Sequence, residues 1–514
     1  MPDLRVNTRR GAREQPTAPD RAPGPPRGLA GIRAAAAGAA RRAAAVARPG
    51  ALWRGHRLLV ILLAASLVPR VLAVLAFRPA LLTSDSFLYM QEATHGALGE
   101  IRPSGYSWFL DLLRPLPDTL TAVTIAQHLM GMAIAVVVYG VLRYRGLPAW
   151  GAALAAAPTL FDTREIALES YILPDTVYAA ALLLATAVLL TRRTPRRWQC
   201  VLAGLLVAYV CLLRGNGLPL AAAFAVFLLI RRVGWRAVTA AAAAFAVPVL
   251  GYVLAFHALY GSYNLTESDG IFLWSRTTSF ANCAVIKPSP RLAPLCPSRE
   301  KNAPKGPAPA WSINALVSAQ TPADYLWAPD VWWRHDKYPG FNPYNNKLAL
   351  HFALRAIEAQ PLGYLRVTAR DVMLLFVAND RPLAHSTMSF TVTPHIATLP
   401  AGYARDEDEY AGSRANTHYV QPWTYFLFLY QMPVWFPGVV FLGVVITGLV
   451  GVLRKWRSWG GVQALPWALA AASIVLPAML TQALYRYAIV AIPLACLAAG
   501  LAFVRPERAD SADR

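Results

Sequence analysis

The sequence predicts an all-α integral membrane protein, and three observations carry that prediction. Of 514 residues, 56% are hydrophobic and only 15% charged. Apolar runs suited to the roughly 30 Å hydrocarbon layer recur along most of the chain. The basic residues behind a net charge of +21 gather at the edges of those runs, which is the positive-inside pattern. A nucleic-acid-binding protein would cluster them on one face instead, so nucleic acid is excluded as a partner.

Residues 1–57 are rich in Arg, Ala and Pro and show no apolar periodicity, so a disordered basic cytoplasmic tail is expected. No small-residue cleavage site follows a short apolar core, so the first span is expected to act as an uncleaved anchor. That span is 58–77, and Arg54, His56 and Arg57 place its start in the cytoplasm. Arg70, in its outer half, has two open readings: a snorkelling interface residue, or a contact for an anionic lipid headgroup. Further spans are predicted at 120–142, 147–161, 172–190, 200–213, 218–230, 238–260, 426–453, 464–484 and 487–504, about ten helices in all. The basic junctions RYR at 143–145, RRTPRR at 192–197, RRVGWR at 231–236, RKWR at 454–457 and the RPER of the 505–514 tail fall on one side. Both termini of a multi-pass plasma-membrane protein are then cytoplasmic. The N-terminal membrane module is 58–260 and the C-terminal one 423–504.

The opposite side holds the acidic and amide groups. The first outer loop, 78–119, contains TSDSFLYMQEATHGALGEIRPSGYSWFL at 83–110. With Ser84 as cap of a helix over 85–94, Asp85, Tyr89 and Glu92 share one face. Arg102, Pro103, Gly105 and Tyr106 then form a turn that folds back over it. The next outer loop, FDTREIALESYILPDT at 161–176, offers Glu165, Glu169 and Asp175, and RGNG at 214–217 follows span five. The connection 261–422 is too long for a plain loop and predicts a small extracytoplasmic domain before the last three helices. Within it, 346–360 and 362–376 read as helices, the second with an apolar stripe of Leu362, Leu365, Ala369, Val372 and Phe376 and with Arg366 and Arg370 off it. That is the pattern of a helix lying on a membrane surface. Cys283 and Cys296 lie in an oxidising place and are expected to form a disulfide, whereas Cys200, Cys211 and Cys496 fall in spans as small hydrophobes. No zinc-ligand spacing and no phosphate-cradling GxxxxGK[ST] motif is present.

The order DSFLYM, RPSGYSWFL, QHLMG, ESYILPDT, LLRGNGLPL and YRYAIVAIPL resembles the C-type superfamily of integral-membrane glycosyltransferases. Its members use polyprenyl-phosphate-linked sugars and include protein O-mannosyltransferases and aminoarabinose transferases. The segment NLTESDGIFLWSRTTSFANC is similar to an actinobacterial subgroup described as phospholipid carrier-dependent glycosyltransferases. The resemblance covers about 58–504. It implies a sugar moved from a polyprenyl-phosphate carrier to an extracytoplasmic acceptor in the cell envelope, with inversion at the anomeric carbon. The acidic residue of the first outer loop that this superfamily requires corresponds to Asp85, the candidate base. For the second acidic position Asp175 is favoured, with Glu169 and Glu165 as alternatives, either to orient the acceptor or to hold a divalent cation with Asp85. Arg214 and Arg486 match basic positions expected to face the lipid phosphate, and Arg102 and Arg276 are weaker candidates of the same kind. Tyr89 joins them as a substrate contact.

His128, beside Gln127 in the second span, is either a substrate contact or a hydrogen-bonding partner of a neighbouring helix. The acidic run at 406–409 lacks calcium-ligand spacing and reads as a solvated linker. Asn264 to Thr266 fits a glycosylation triplet. Trp327, Trp332 and Trp333 are either sugar-stacking or interface aromatics. The competing functions are a non-enzymatic lipid or glycan transporter and a catalytically idle partner in envelope assembly. The sugar, the carrier length and the acceptor, whether protein, lipid or polysaccharide, are not readable from the chain.

Overall fold

The computed structural model describes residues 49–192, 194–297, 322–377, 389–392, 405, 408–412, 417–458 and 461–504. Expectations for 1–48, for Arg193 in the RRTPRR junction, for part of the acidic run (406–407) and for the RPER tail fall outside them. The chain divides into two compact units, 1–57 and 58–514. The first helix, α1 (Pro49–Ala76), leaves helical angles at His56, φ −131° and ψ 15°, where that division falls. The description below concerns the second unit.

The fold is all-α, as the composition predicts. A short first-loop helix α2 (Ser84–His95) and a second, α3 (Gly105–Leu113), precede the long α4 (Thr119–Tyr144). Then come α5 (Ala149–Phe161), the buried connector α6 (Thr163–Ser170), α7 (Asp175–Leu190), α8 (Arg197–Leu213), α9 (Gly217–Ile230) and α10 (Trp235–Tyr260). The long connection contributes α11 (Asp269–Thr277), α12 (Pro343–Ala359) and α13 (Pro361–Val377). Last come α14 (Trp423–Gln431), α15 (Gly438–Arg454), α16 (Ala464–Leu480), α17 (Tyr485–Ile489) and α18 (Ile492–Ala502). Among the described residues five helices are long and apolar enough to cross a membrane, and five shorter apolar helices accompany them.

Two predicted spans are interrupted. The run 426–453 is two helices, α14 and α15, because Pro433 and Pro437 remove amide donors between them. The run 487–504 begins as α17 and continues as α18, with Pro493 in the first turn of the second piece. α18 is buried almost throughout and packs against α15 and α16, so it forms the centre of the C-terminal module. A two-stranded antiparallel ribbon, β1 (Phe77–Arg78) and β2 (His418–Tyr419), pairs Phe77 with Tyr419 and ties the end of α1 to the entry of α14.

A second apolar cluster lies in the long connection, where Ile271 and Trp274 of α11 pack with Ala349 and Phe352 of α12 around Phe341 and Trp333. Cys283 and Cys296 are joined by a disulfide beside it. On α13 the predicted stripe is divided: Leu362, Leu365 and Ala369 are exposed together with Met373, while Phe376 is buried. The departure has a packing cause, since the ring of Phe376 lies 5.6 Å from that of Phe441 on α15.

Candidate functional site

The site is assembled from five segments far apart in the sequence. Thr83, not Ser84, caps α2: its amide donates to Ser86 Oγ at 2.9 Å, closing a reciprocal capping box. Ser86 Oγ also donates to Ile172 O at 2.9 Å, anchoring the start of α2 to the turn before α7. This places Asp85 in the first turn of α2, partly exposed, with Tyr89 one turn below it and buried. The RPSGY turn does fold back. Arg102 Nη2 lies 3.3 Å from Asp85 Oδ1, its guanidinium sits 4.8 Å above the Phe272 ring, and Tyr106 meets Tyr89 edge-on at 5.1 Å. Gly105 allows this approach, because a Cβ there would lie 2.5 Å from Leu212 O at the end of α8.

The other half comes from helix ends. Asp175 opens α7 and is fully buried. Arg214, just past α8, places Nη1 2.9 Å from Asp175 Oδ1 and stacks 4.6 Å over the Tyr487 ring. Arg486, in α17, reaches Asp175 Oδ2 at 3.0 Å and Asp85 Oδ2 at 3.4 Å. The result is one chain of alternating charge, Arg102, Asp85, Arg486, Asp175, Arg214. It borders a cavity of about 400 Å³. Asp85, Tyr89 and the three arginines line it, and Leu218, Pro219, Pro477 and Leu480 form an apolar wall.

Burial tends to raise the Asp85 carboxyl, but Arg102, Arg486 and Arg214 together outweigh it and hold it down at about 2. The Tyr89 hydroxyl is pushed up by burial, so it is a neutral donor. Glu92, two turns along α2, is pushed up to about 7 by burial, although Ser107 Oγ donates to it at 2.6 Å. Together with Ser104 Oγ, which accepts from the Gly99 amide at 2.9 Å, it fixes the loop that carries Arg102.

A raised acid binds its proton more tightly in the folded chain, so the Glu92 contribution is complete below the ordinary carboxyl range and is lost as pH rises through about 7. The wild-type unfolding temperature is therefore expected to fall between about pH 5 and about pH 8 relative to that of Glu92→Gln, which keeps an acceptor for Ser107. Thermal unfolding of both proteins in detergent checks this. Parallel slopes would mean that Glu92 ionises at no cost to the fold.

The remaining sequence candidates lie elsewhere. Glu169 does not line the cavity; Arg70 Nε and Nη2 donate to its two oxygens at 2.9 and 2.8 Å, and His128 Nδ1 lies 2.7 Å from Oε2. Arg70 also donates to Leu160 O at 2.8 Å and to Ser66 O at 3.1 Å, and it is 2% exposed. Neither the snorkelling nor the headgroup reading of Arg70 therefore fits, since its charge is neutralised inside the bundle. His128 matches the reading as a bonding partner of its neighbours. Glu165 is buried on α6 beside Glu169. Arg276 is fully buried against Asp371 at 2.5 Å, away from the cavity. The cavity residues not singled out in the sequence include Asp269 and Phe272 on α11, and Tyr487. Tyr487 had a signal, an aromatic beside Arg486 at the opening of an apolar run.

Among the described residues no three His, Cys, Asp or Glu side chains converge as a metal site. The two acids offered to a divalent cation, Asp85 and Asp175, share the guanidinium of Arg486 instead. Each also has a second arginine. That donor set does not fit a divalent cation.

No family model matches the chain, and no curated protein matches it. Solved structures do match. The Saccharomyces cerevisiae protein O-mannosyltransferase Pmt1-Pmt2 complex, bound to the sugar donor, is 14% identical at a TM-score of 0.32, covering 44% of this chain and 36% of its own. The oligosaccharyltransferase AglB from Archaeoglobus fulgidus, with an inhibitory peptide and a dolichol-phosphate, is 13% identical at 0.42, covering 88% and 50%. ArnT from Cupriavidus metallidurans, bound to undecaprenyl phosphate, is 15% identical at 0.35, covering 87% and 77%. The chain thus spans half or less of the length of the first two.

Proposed function

We propose that the protein transfers a sugar from a polyprenyl-phosphate carrier to an extracytoplasmic acceptor, with inversion. The observation that carries this reading is the alternating chain of three guanidiniums and two carboxylates at the mouth of a half-apolar cavity. A lipid-linked phosphate needs cations for its charge and an apolar wall for the first part of its tail. Arg102, Arg214 and Arg486 supply the first, and the wall of Leu218, Pro219, Pro477 and Leu480 supplies the second.

Asp85 accepts the proton of the acceptor hydroxyl as that oxygen bonds to the anomeric carbon. The bond from that carbon to the phosphate oxygen breaks on the opposite face, and the arginines balance the charge left on the phosphate. Asp175, with no exposed surface, holds Arg214 and Arg486 in place from beneath and touches neither substrate. No step is assigned to a metal. The orientation that fits has both termini in the cytoplasm and the 78–119 loop outside, with the cluster built on α11 and α12 on the extracytoplasmic side.

The test uses purified protein in nanodiscs with a panel of radiolabelled polyprenyl-phosphate sugars and a membrane extract as acceptor source. Label is expected to leave one donor and appear in an acceptor fraction. If every donor is bound and none consumed, the proposal fails.

A further inference from the structure

A second cavity, of about 640 Å³, opens in the long connection on the other side of the helices that wall the first. Phe272 and Leu273 of α11 face the cavity bordered by Asp85, while Trp274, the next residue, faces the second. On α12, Leu350 lines the first cavity and Tyr344 and Leu348 line the second. Tyr344 and Leu350 are separated by about 9 Å of helix rise. The two cavities therefore share one wall.

The chemistry of the second cavity differs from that of the first. Tyr325, Trp332 and Tyr344 give it aromatic surface, and Asp330, Asp336, His335 and Arg291 give it polar groups. The structure separates the three tryptophans of this region. Trp333 is buried in the apolar cluster with its ring 5.0 Å from that of Phe341, Trp327 meets the same ring at 5.9 Å but is 44% exposed, and Trp332 packs at the edge of the cluster. Only Trp332 of the three lines the cavity, edge-on to Trp274 at 5.7 Å. Two buried polar atoms of the wall residues have no hydrogen-bond partner: Trp332 Nε1, a donor, and Asp336 Oδ2, an acceptor. Leaving such groups unpaired is costly, and a ligand that pairs them recovers that cost.

A sugar ring has this complementary make-up, an apolar C–H face for an aromatic surface and hydroxyls that both donate and accept. With Asp330 and Asp336 set against Arg291 and His335, the lining has no excess of cations to hold an anionic ligand such as a lipid phosphate. We propose that this cavity is a saccharide-binding subsite, separate from the transfer site, that holds an uncharged ring of a glycan acceptor. As an assignment of acceptor class it rests on the proposed function, but binding itself does not require transfer.

The experiment applies the full-length protein in nanodiscs to a printed array of neutral, acidic and basic oligosaccharides, beside Trp332→Ala, Trp332→Phe, Asp336→Asn and Asp85→Asn. The wild type is expected to retain neutral oligosaccharides. Trp332→Ala and Asp336→Asn should each weaken retention about tenfold, with Trp332→Phe recovering most of the loss and Asp85→Asn unchanged. Each variant is checked for monodispersity and an intact Cys283–Cys296 bond, so a fold defect is not read as lost binding. Retention insensitive to Trp332 and Asp336, retention of acidic glycans or peptides only, or no retention at all overturns the subsite. Binding without transfer from any donor would remove the proposed function and leave the subsite standing.

Discussion

Replacing Asp85 by Asn is expected to lower sugar transfer by about 10²- to 10⁴-fold while leaving the protein folded and inserted. Asn keeps the size of the side chain and one oxygen, enough for Arg102 or Arg486 but not both, and it takes up no proton. The same geometry predicts a pH signature. In the free protein the carboxyl is held at about 2 because three guanidiniums outweigh burial. It therefore costs kcat/KM nothing above about pH 3, since that parameter reports the free enzyme. Once a donor phosphate draws the guanidiniums to itself, burial remains and the Coulombic hold weakens, so the pKa rises. The acid limb of kcat then lies at higher pH than that of kcat/KM. Rates across pH with a soluble short-chain donor measure both. Wild-type activity in Asp85→Asn, or coincident acid limbs, would remove Asp85 from the role of base.

The second large effect concerns the fold. Arg70→Ala is expected to cost about 3–5 kcal/mol, because it leaves the Glu169 carboxylate buried without its bidentate partner. The arginine makes five polar contacts, two of them to Glu169, and both residues are essentially inaccessible. Gly131 on α4 shows how closely the site is fitted, since a Cβ there would lie 1.7 Å from Glu169 Oε1. The paired variant Arg70→Met with Glu169→Gln should be milder than Arg70→Ala alone, because no uncompensated charge remains. Denaturant unfolding in detergent decides this. A double variant as unstable as the single one would mean that packing, not charge pairing, sets the loss.

Apolar helices were legible because apolar length is a one-dimensional property, and the predicted runs fall on helical segments, five of them among the described residues long and apolar enough to cross a membrane. The breaks were not, since the run 426–453 keeps its hydropathy through Pro433 and Pro437 while losing the amides that a continuous helix requires. Around the site, Asp85, Tyr89 and Arg102 could be grouped because helix spacing and one local turn bring them together. Choosing among Glu165, Glu169 and Asp175 was beyond periodicity. The choice depends on which basic residues each meets, and those partners include one 99 positions away for Glu169 and one 311 away for Asp175. Arg276 looked like Arg214 in sequence, yet Asp371 neutralises it. The cap assigned to Ser84 moved one residue to Thr83 because Ser86, not an acid, completes the box.

The charge chain also orders events during synthesis. Arg486 joins Asp85 and Asp175 but follows them by 401 and 311 positions. A ribosome delivers the chain from its N-terminus. Until α17 emerges, the unfinished protein therefore has two carboxylates that share no cation between them. The last link to be translated is the one that unites the two halves of the site. A chain cut between α16 and Arg486 keeps every helix up to α16 and still lacks the bridge, so synthesis itself withholds the assembled site until α17 has been made.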